Sequence, residues 1–132
     1  MITLSDTHAA TRAAAALAAT LTALNAGTTG ATISLYSTAR PANGASAGGA
    51  AQAVLTLPNP AGTITDGVLT LAAVTDAMIT STGVVIWARM VANGVILFDC
   101  DVSDTTGSAT IRLATTQLYT GGAVHLTSAI LG

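Results

Sequence analysis

The spacing of apolar positions changes once along the chain. In residues 7–25 the leucines stand at 17, 21 and 24 on an Ala-rich background, and steps of four and three place Leu17, Leu21 and Leu24 on one face of a helix. Ser5 or Thr7 can cap its start, and Asp6 lies at the positive end of the macrodipole. Asn25, Ala26 and Gly27 supply the residues that a left-handed C-cap prefers. The stripe is narrow, so such a helix suits a surface or a neighbour better than the filling of a core. From Thr28 onward, short β-type runs alternate with clusters of Gly, Asn, Asp, Pro and Ser. Strands are expected near 31–38, 51–57, 67–74, 83–92, 95–103, 108–113 and 123–131. The expected fold is all-β, a jelly-roll-like antiparallel β-sandwich (28–132) with one N-terminal α-helix (1–27), folding as a single domain.

The strongest local signal lies in residues 84–103, two β-rich runs around Asn93-Gly94, a dipeptide that accepts the positive φ of a type I′ turn. A two-residue turn sets Trp87 opposite Cys100 and Arg89 opposite Phe98. One face then carries Val85, Trp87, Val91, Ile96, Phe98, Cys100 and Val102, the candidate core, with Trp87 and Phe98 as its anchors. The other face is also largely apolar through Ile86, Ala88, Met90 and Leu97, which predicts a central strand pair or a subunit interface. One extra residue in the loop exchanges the faces of the second strand. Residues 39–50, rich in Gly and Ala, and the Pro58-Asn59-Pro60 turn are expected to be the mobile parts.

Composition narrows the classes of partner. The 132 residues make one domain, 51% hydrophobic and only 8% charged, against about 25% charged in an average soluble domain. Every base is Arg and every acid is Asp, with a net charge of −2. A surface this neutral lacks the usual protection against association and predicts life inside an assembly. Four scattered Arg cannot form a phosphate-binding patch, which argues against nucleic acid. Apolar runs stay short of a membrane span, and residues 1–8 lack a basic leader region, so a soluble chain made in the cytoplasm is expected. Cys100 has no second cysteine to pair with and is expected to pack as a small apolar residue.

Candidate chemistry is sparse. Asp99, Asp101 and Asp104 form the densest acidic cluster, but a calcium loop needs a Gly at its sixth position and a Glu at its twelfth, so a solvated strand end is the preferred reading. The two histidines, His8 and His125, stand in no G-x-S-x-G, H-E-x-x-H or C-x-x-C context, and no Lys is present for a phosphate loop. No catalytic, cofactor-binding or metal residues are assigned, although a small hydrolase would have to draw on His125 or Asp99. Sugar recognition would need stacking platforms, for which Tyr36 and Tyr119 are the candidates. Among the arginines, Arg40 before Pro41 is the best anchor for a partner, and Arg89 is expected to lie over an aromatic ring.

Two stretches resemble a known family. Ile33-Ser34-Leu35-Tyr36-Ser37-Thr38-Ala39-Arg40-Pro41-Ala42 is similar to an "LYTGTRPA" run, and Gly83-Val84-Val85-Ile86-Trp87-Ala88-Arg89-Met90 to a "G-x-A-x-W-F-R" strand, of tailed-bacteriophage capsid decoration (cement) proteins. The chain departs from the pattern at Ala88, where the family has an aromatic residue, and at Asp99-Cys100-Asp101, where a "DGSVG" ending is usual. The resemblance implies a non-enzymatic virion structural protein on the outer capsid surface. It would bind the major capsid protein and copies of itself as a homodimer or homotrimer, with no cofactor, nucleic acid or membrane involved. The partner surface is expected at Arg12, Leu17 and Leu21 of the arm and at Arg40, Pro41 and Asn43 of the loop. The alternative is a tail, neck or fibre module that recognises a host-surface glycan.

Overall fold

A computed structural model describes residues 1–132 other than Thr28, Asn43 and Gly132. Its elements are α1 (Asp6–Leu24), β1 (Thr32–Tyr36), β2 (Ala53–Thr56), β3 (Gly62–Thr65), β4 (Val68–Leu71), β5 (Ala77–Met78), β6 (Gly83–Val84), β7 (Trp87–Ala92), β8 (Val95–Ser103), β9 (Ile111–Leu113), β10 (Gln117–Leu118), β11 (Ala123–Val124) and β12 (Leu126–Leu131). Eight strands join in the order β2-β1-β7-β8-β9-β12-β4-β3, and the remaining four pair as β6 with β10 and β5 with β11. The long sheet curls so that alternate residues such as Ile33, Leu35, Leu55, Leu69, Ile111 and Leu113 meet in one core. This is an all-β sandwich with one N-terminal helix. Every described strand pairing is antiparallel except β8 with β9, which run parallel over two positions, Val102 with Ile111 and Ser103 with Arg112.

The helix begins on Ser5, whose hydroxyl accepts from the His8 N–H at 3.3 Å, and the left-handed residue after it is Gly27, at φ +90°. Its two halves differ. Leu24 is buried in the sandwich core, and Leu17 and Leu21 are half-buried against it. Residues 5–16 are exposed on every side. The Asn25 side chain accepts from the Ala61 N–H at 2.7 Å, and its carbonyl accepts from the Asn59 amide at 3.3 Å, which clips the helix end to the turn before β3. The final turns of α1 therefore belong to the sandwich, and the packing boundary falls near Ala16 rather than at residue 27.

The β7–β8 hairpin has the two-residue turn, with Asn93 at φ 51° and Gly94 at φ 76°, and Ala92 opposite Val95. A bulge then intervenes. After Val91 opposite Ile96, the next pair is Met90 with Phe98, followed by Arg89 with Asp99, Ala88 with Cys100 and Trp87 with Asp101. The expected register of Arg89 opposite Phe98 is thus shifted by one, at a bulge rather than in the turn. The consequence is favourable on both faces. Phe98, Cys100 and Val102 join Ala88 and Met90 on the core side, while Asp99 comes opposite Arg89. Without the extra residue the Asp99 carboxylate would point into the apolar core, where an unpaired charge is heavily penalised. Two expectations are corrected. Asp99 is no solvated strand end but a buried partner of Arg89, with both side chains 6% exposed. Phe98 is half-buried at the core margin and Trp87 is fully enclosed, but the bulge sets them on opposite faces, so the expected shared core face of Trp87 and Phe98 gives way to one built on Ala88, Met90 and Phe98.

Other differences have similarly local causes. The expected strand at 67–74 is the second arm of a hairpin, β3–β4, turned by Asp66 at φ 52° and Gly67 at φ 76°. The expected strand at 83–92 is interrupted at Val85-Ile86, where the chain leaves β10 and joins β1 and β8. Val85 N–H donates to the Thr116 carbonyl, and Ile86 N–H to the Tyr36 carbonyl. The expectation of a central pair holds for β7, which is flanked by β1 and β8 and has buried residues on both faces.

Candidate interaction surface

On the outer face of β1 and β7, Trp87 is covered by the segment that follows β1. Its ring stacks on Tyr36 at 4.4 Å between centroids, and its indole N–H donates to the Thr38 carbonyl at 2.8 Å. The Arg89 guanidinium lies 5.2 Å from the Trp87 ring centroid, so the arginine is over an aromatic ring, though it is Trp87 and not Phe98. Arg89 also donates twice to Asp99, at 2.8 and 3.0 Å, and once to the Ala45 carbonyl at 2.7 Å. Its hydrogen bond to Asp99 raises its pKa above the ordinary arginine value, so the guanidinium stays charged.

This network accounts for Arg40 as well. Its guanidinium donates to Asp101 at 3.0 Å and to the Asp99 carbonyl at 2.8 Å, while the Thr38 hydroxyl donates to the Ala47 carbonyl at 3.0 Å. These bonds tie the expected mobile loop down over Trp87 at Thr38, Arg40, Ala45 and Ala47. Of the expected partner residues, Arg40 is thus engaged within its own chain, Pro41 is half-buried, and Leu17 and Leu21 rest on the core. Arg12 is exposed on the projecting half of α1, and Asn43 lies outside the described residues.

A different surface is built by the two short ribbons. In β6–β10, Val84 pairs with Gln117 and Gly83 with Leu118; in β5–β11, Met78 pairs with Ala123 and Ala77 with Val124. Both ribbons keep one register, and reciprocal bonds of Ile79 with Gly121 and Gly122 bridge them, so residues 77–84 and 117–124 form one interrupted antiparallel ribbon. Alternation along it is clean. Ala77, Ile79, Leu118 and Val124 face the core, while Met78, Val84 and Tyr119 face out, at 72%, 47% and 66% exposure. Continued by one position, the same register sets Asp76 opposite His125, whose Nδ1 lies 2.7 Å from the Asp76 carboxylate. Thr82 and Thr120 add a hydroxyl pair at 3.1 Å.

The outward ribbon face is therefore a row of Met, Val and Tyr with a polar pair at its end. Beside it opens a groove of about 580 Å³ whose walls include Val54, Pro58, Val74 and Met78. Met and Tyr are the residue types enriched at protein interfaces, and an exposed apolar row on an otherwise neutral surface has the character of a contact site. The Asp76–His125 contact follows from strand register and is open to solvent on both sides, at 49% and 58% side-chain exposure respectively. Among the described residues no hydroxyl or thiol hydrogen-bonds the other nitrogen of this imidazole, and no three His, Cys or Asp side chains converge on a common point. Burial pushes the Cys100 thiol up to about 11, so it stays protonated at neutral pH. No helix among the described residues is long and apolar enough to cross a membrane.

Comparison of the chain with protein-family models, with curated proteins and with solved structures finds no match. Two strands of the ribbon, β6 and β11, fall within the strands expected at 83–92 and 123–131, but β5 and β10 escape the sequence pattern because they are two residues long and stand among Gly, Ser and Thr, which read as turns. A faint signal was present. Ala77-Met78-Ile79 sets an outward residue between two core-facing ones and Gln117-Leu118-Tyr119 a core-facing residue between two outward ones, but a two-residue strand falls below the length at which alternation is diagnostic.

Proposed function

We propose that this chain is a bacteriophage capsid decoration protein, a non-enzymatic virion component that binds the major capsid protein lattice and associates with copies of itself. The observation that carries the reading is the ribbon face, an ordered row of exposed Met78, Tyr119 and Val84 on a domain with 8% charged residues. The resemblance of residues 33–42 and 83–90 to cement proteins points the same way. Such a protein acts by mass action: a ligand that binds the mature shell better than its alternatives stabilises it, and many weak sites on one lattice add avidity.

Copy number per purified particle, measured by quantitative mass spectrometry against the major capsid protein, tests this reading. Near parity with the capsid protein is expected, together with reduced occupancy for Met78→Asp and Tyr119→Ala. A handful of copies per particle overturns it in favour of a neck, tail or fibre module. The glycan reading then rests on Tyr119 alone, because the Tyr36 ring is stacked on Trp87.

A further inference from the structure

The projecting half of α1 and the base of the same helix are complementary. At the base, Ala19, Thr20 and Ala23 of the helix and Leu97 and Phe98 of β8 line an apolar groove of about 240 Å³. Val95 and Ile96, just ahead of Leu97 in the chain, are exposed too, at 57% and 40%. At the other end of the helix Ser5 is extended and Leu4 is half-buried, while Met1 and Ile2 ahead of them are exposed on all sides as an apolar tip. Ser5 and the helical residues 6–16 are exposed as well. A helical stretch this short is marginal alone, so its stability depends on packing.

The tip cannot reach the groove of its own chain. Fourteen residues of helix separate Ser5 from Ala19, about 21 Å at 1.5 Å per residue. The three steps from Ser5 to Ile2 cover about 11 Å at full extension. A second copy meets no such limit. Two copies of α1 laid antiparallel about a two-fold axis bring the first turn of each beside the last turns of the other, which is where the groove opens.

We propose that the chain dimerises by reciprocal arm exchange, the Met1-Ile2 tip of each copy seating in the Ala19–Phe98 groove of the other. The contact is isologous and closes on itself, so it makes dimers and not filaments. It uses a surface separate from the ribbon face and stands or falls independently of capsid binding.

Light scattering on the eluting full chain tests it. The expected mass is twice 12.9 kDa, falling to the single-chain value for Ile2→Asp and for Ala19→Arg. Both positions are exposed, so both variants keep the far-ultraviolet spectrum and melting profile of the sandwich. The double variant Ile2→Cys/Ala19→Cys in a Cys100→Ala background is expected to form disulfide-linked dimers on oxidation. The in-chain bridge is barred because a disulfide needs Cα atoms within about 7 Å. A single-chain mass at high micromolar concentration, a dimer indifferent to both substitutions, or a series of polymers that grows with concentration each overturns arm exchange.

Discussion

Replacing Asp99 by Asn isolates the contribution of the buried ion pair while conserving shape. In the native chain the Arg89 guanidinium has 6% side-chain exposure, two bonds to Asp99 and one to the Ala45 carbonyl. The substitution leaves a full positive charge in a dry site facing an amide that turns one of its two acceptors into a donor. Removing one member of a buried pair typically costs about 3–5 kcal/mol. Because Asn keeps one acceptor, the lower end applies, about 3 kcal/mol. With about 2.1 cal/mol/K of unfolding entropy per residue, a 132-residue domain then loses about 11 °C in Tm. Calorimetry and urea denaturation measure this directly, and the denaturant slope is expected to stay constant while the midpoint falls. Hydrogen exchange across residues 39–50 should rise as well, since Arg89 is the tether at Ala45. The double variant Arg89→Met/Asp99→Leu removes both charges together and is expected to be more stable than Asp99→Asn. A loss below about 1 kcal/mol for Asp99→Asn, the range of exposed pairs, would refute the claim that this pair is desolvated and that it selects the bulged register.

Three further outcomes follow from the same structure. Leu24→Ala should cost about 2–5 kcal/mol in chemical denaturation despite its place on the helix, because that side chain is core; a loss under about 0.5 kcal/mol would restore the arm as a separate unit. At pH 8 the Cys100 thiol, with its pKa near 11 against an ordinary 9.0, should react with iodoacetamide about 100-fold more slowly in the folded chain than in denaturant. A folded pKa above the unfolded one favours the protonated native thiol, so this site's contribution is complete below about pH 9 and is lost as pH climbs toward 11. The Asp104 carboxyl is held below the ordinary carboxylate value by the Thr106 hydroxyl and N–H. Its contribution is therefore present above the unfolded value and fades as pH falls through the folded one; Thr106→Val should move the NMR titration of Asp104 upward, and an unmoved titration would discard the assignment.

Long, regular features were readable from sequence and short ones were not. The Leu17, Leu21 and Leu24 spacing predicts α1 to within a residue, and Asn93-Gly94 predicts the hairpin whose second strand is β8, Val95–Ser103. The missed β3 lies ahead of Asp66-Gly67, a dipeptide that carries the same turn chemistry as Asn93-Gly94. Its strand, Gly62–Thr65, begins with Gly and follows Pro60, so the start of a strand looks like the end of a turn. The burial of Asp99 was out of reach for a different reason. Alternation assigns faces only while register is constant, and one inserted residue reverses every later assignment on that strand.

That reversal links fold to surface. The simple hairpin register predicts an aromatic opposite Arg89 and, with Ala88 and Met90 on the core side, would turn Asp99 inward; the bulge after Val91 reverses the faces of β8 and makes a charge pair of two residues that look unrelated in the sequence. The pair then holds the Ala45 carbonyl, and Arg40 holds Asp101, so the loop expected to offer Arg40 to a partner is fastened over Trp87. With that loop engaged and the leucines of α1 turned inward, two surfaces stand out for other proteins: the outward ribbon row of Met78, Tyr119 and Val84, and the free half of the helix with the groove at its base. They lie on different elements and can be altered separately. Substitutions on the ribbon should change lattice occupancy without changing oligomeric mass, and substitutions at Ile2 or Ala19 should change mass first. Any loss of occupancy in those arm variants then measures the avidity that pairing contributes on a repeating surface.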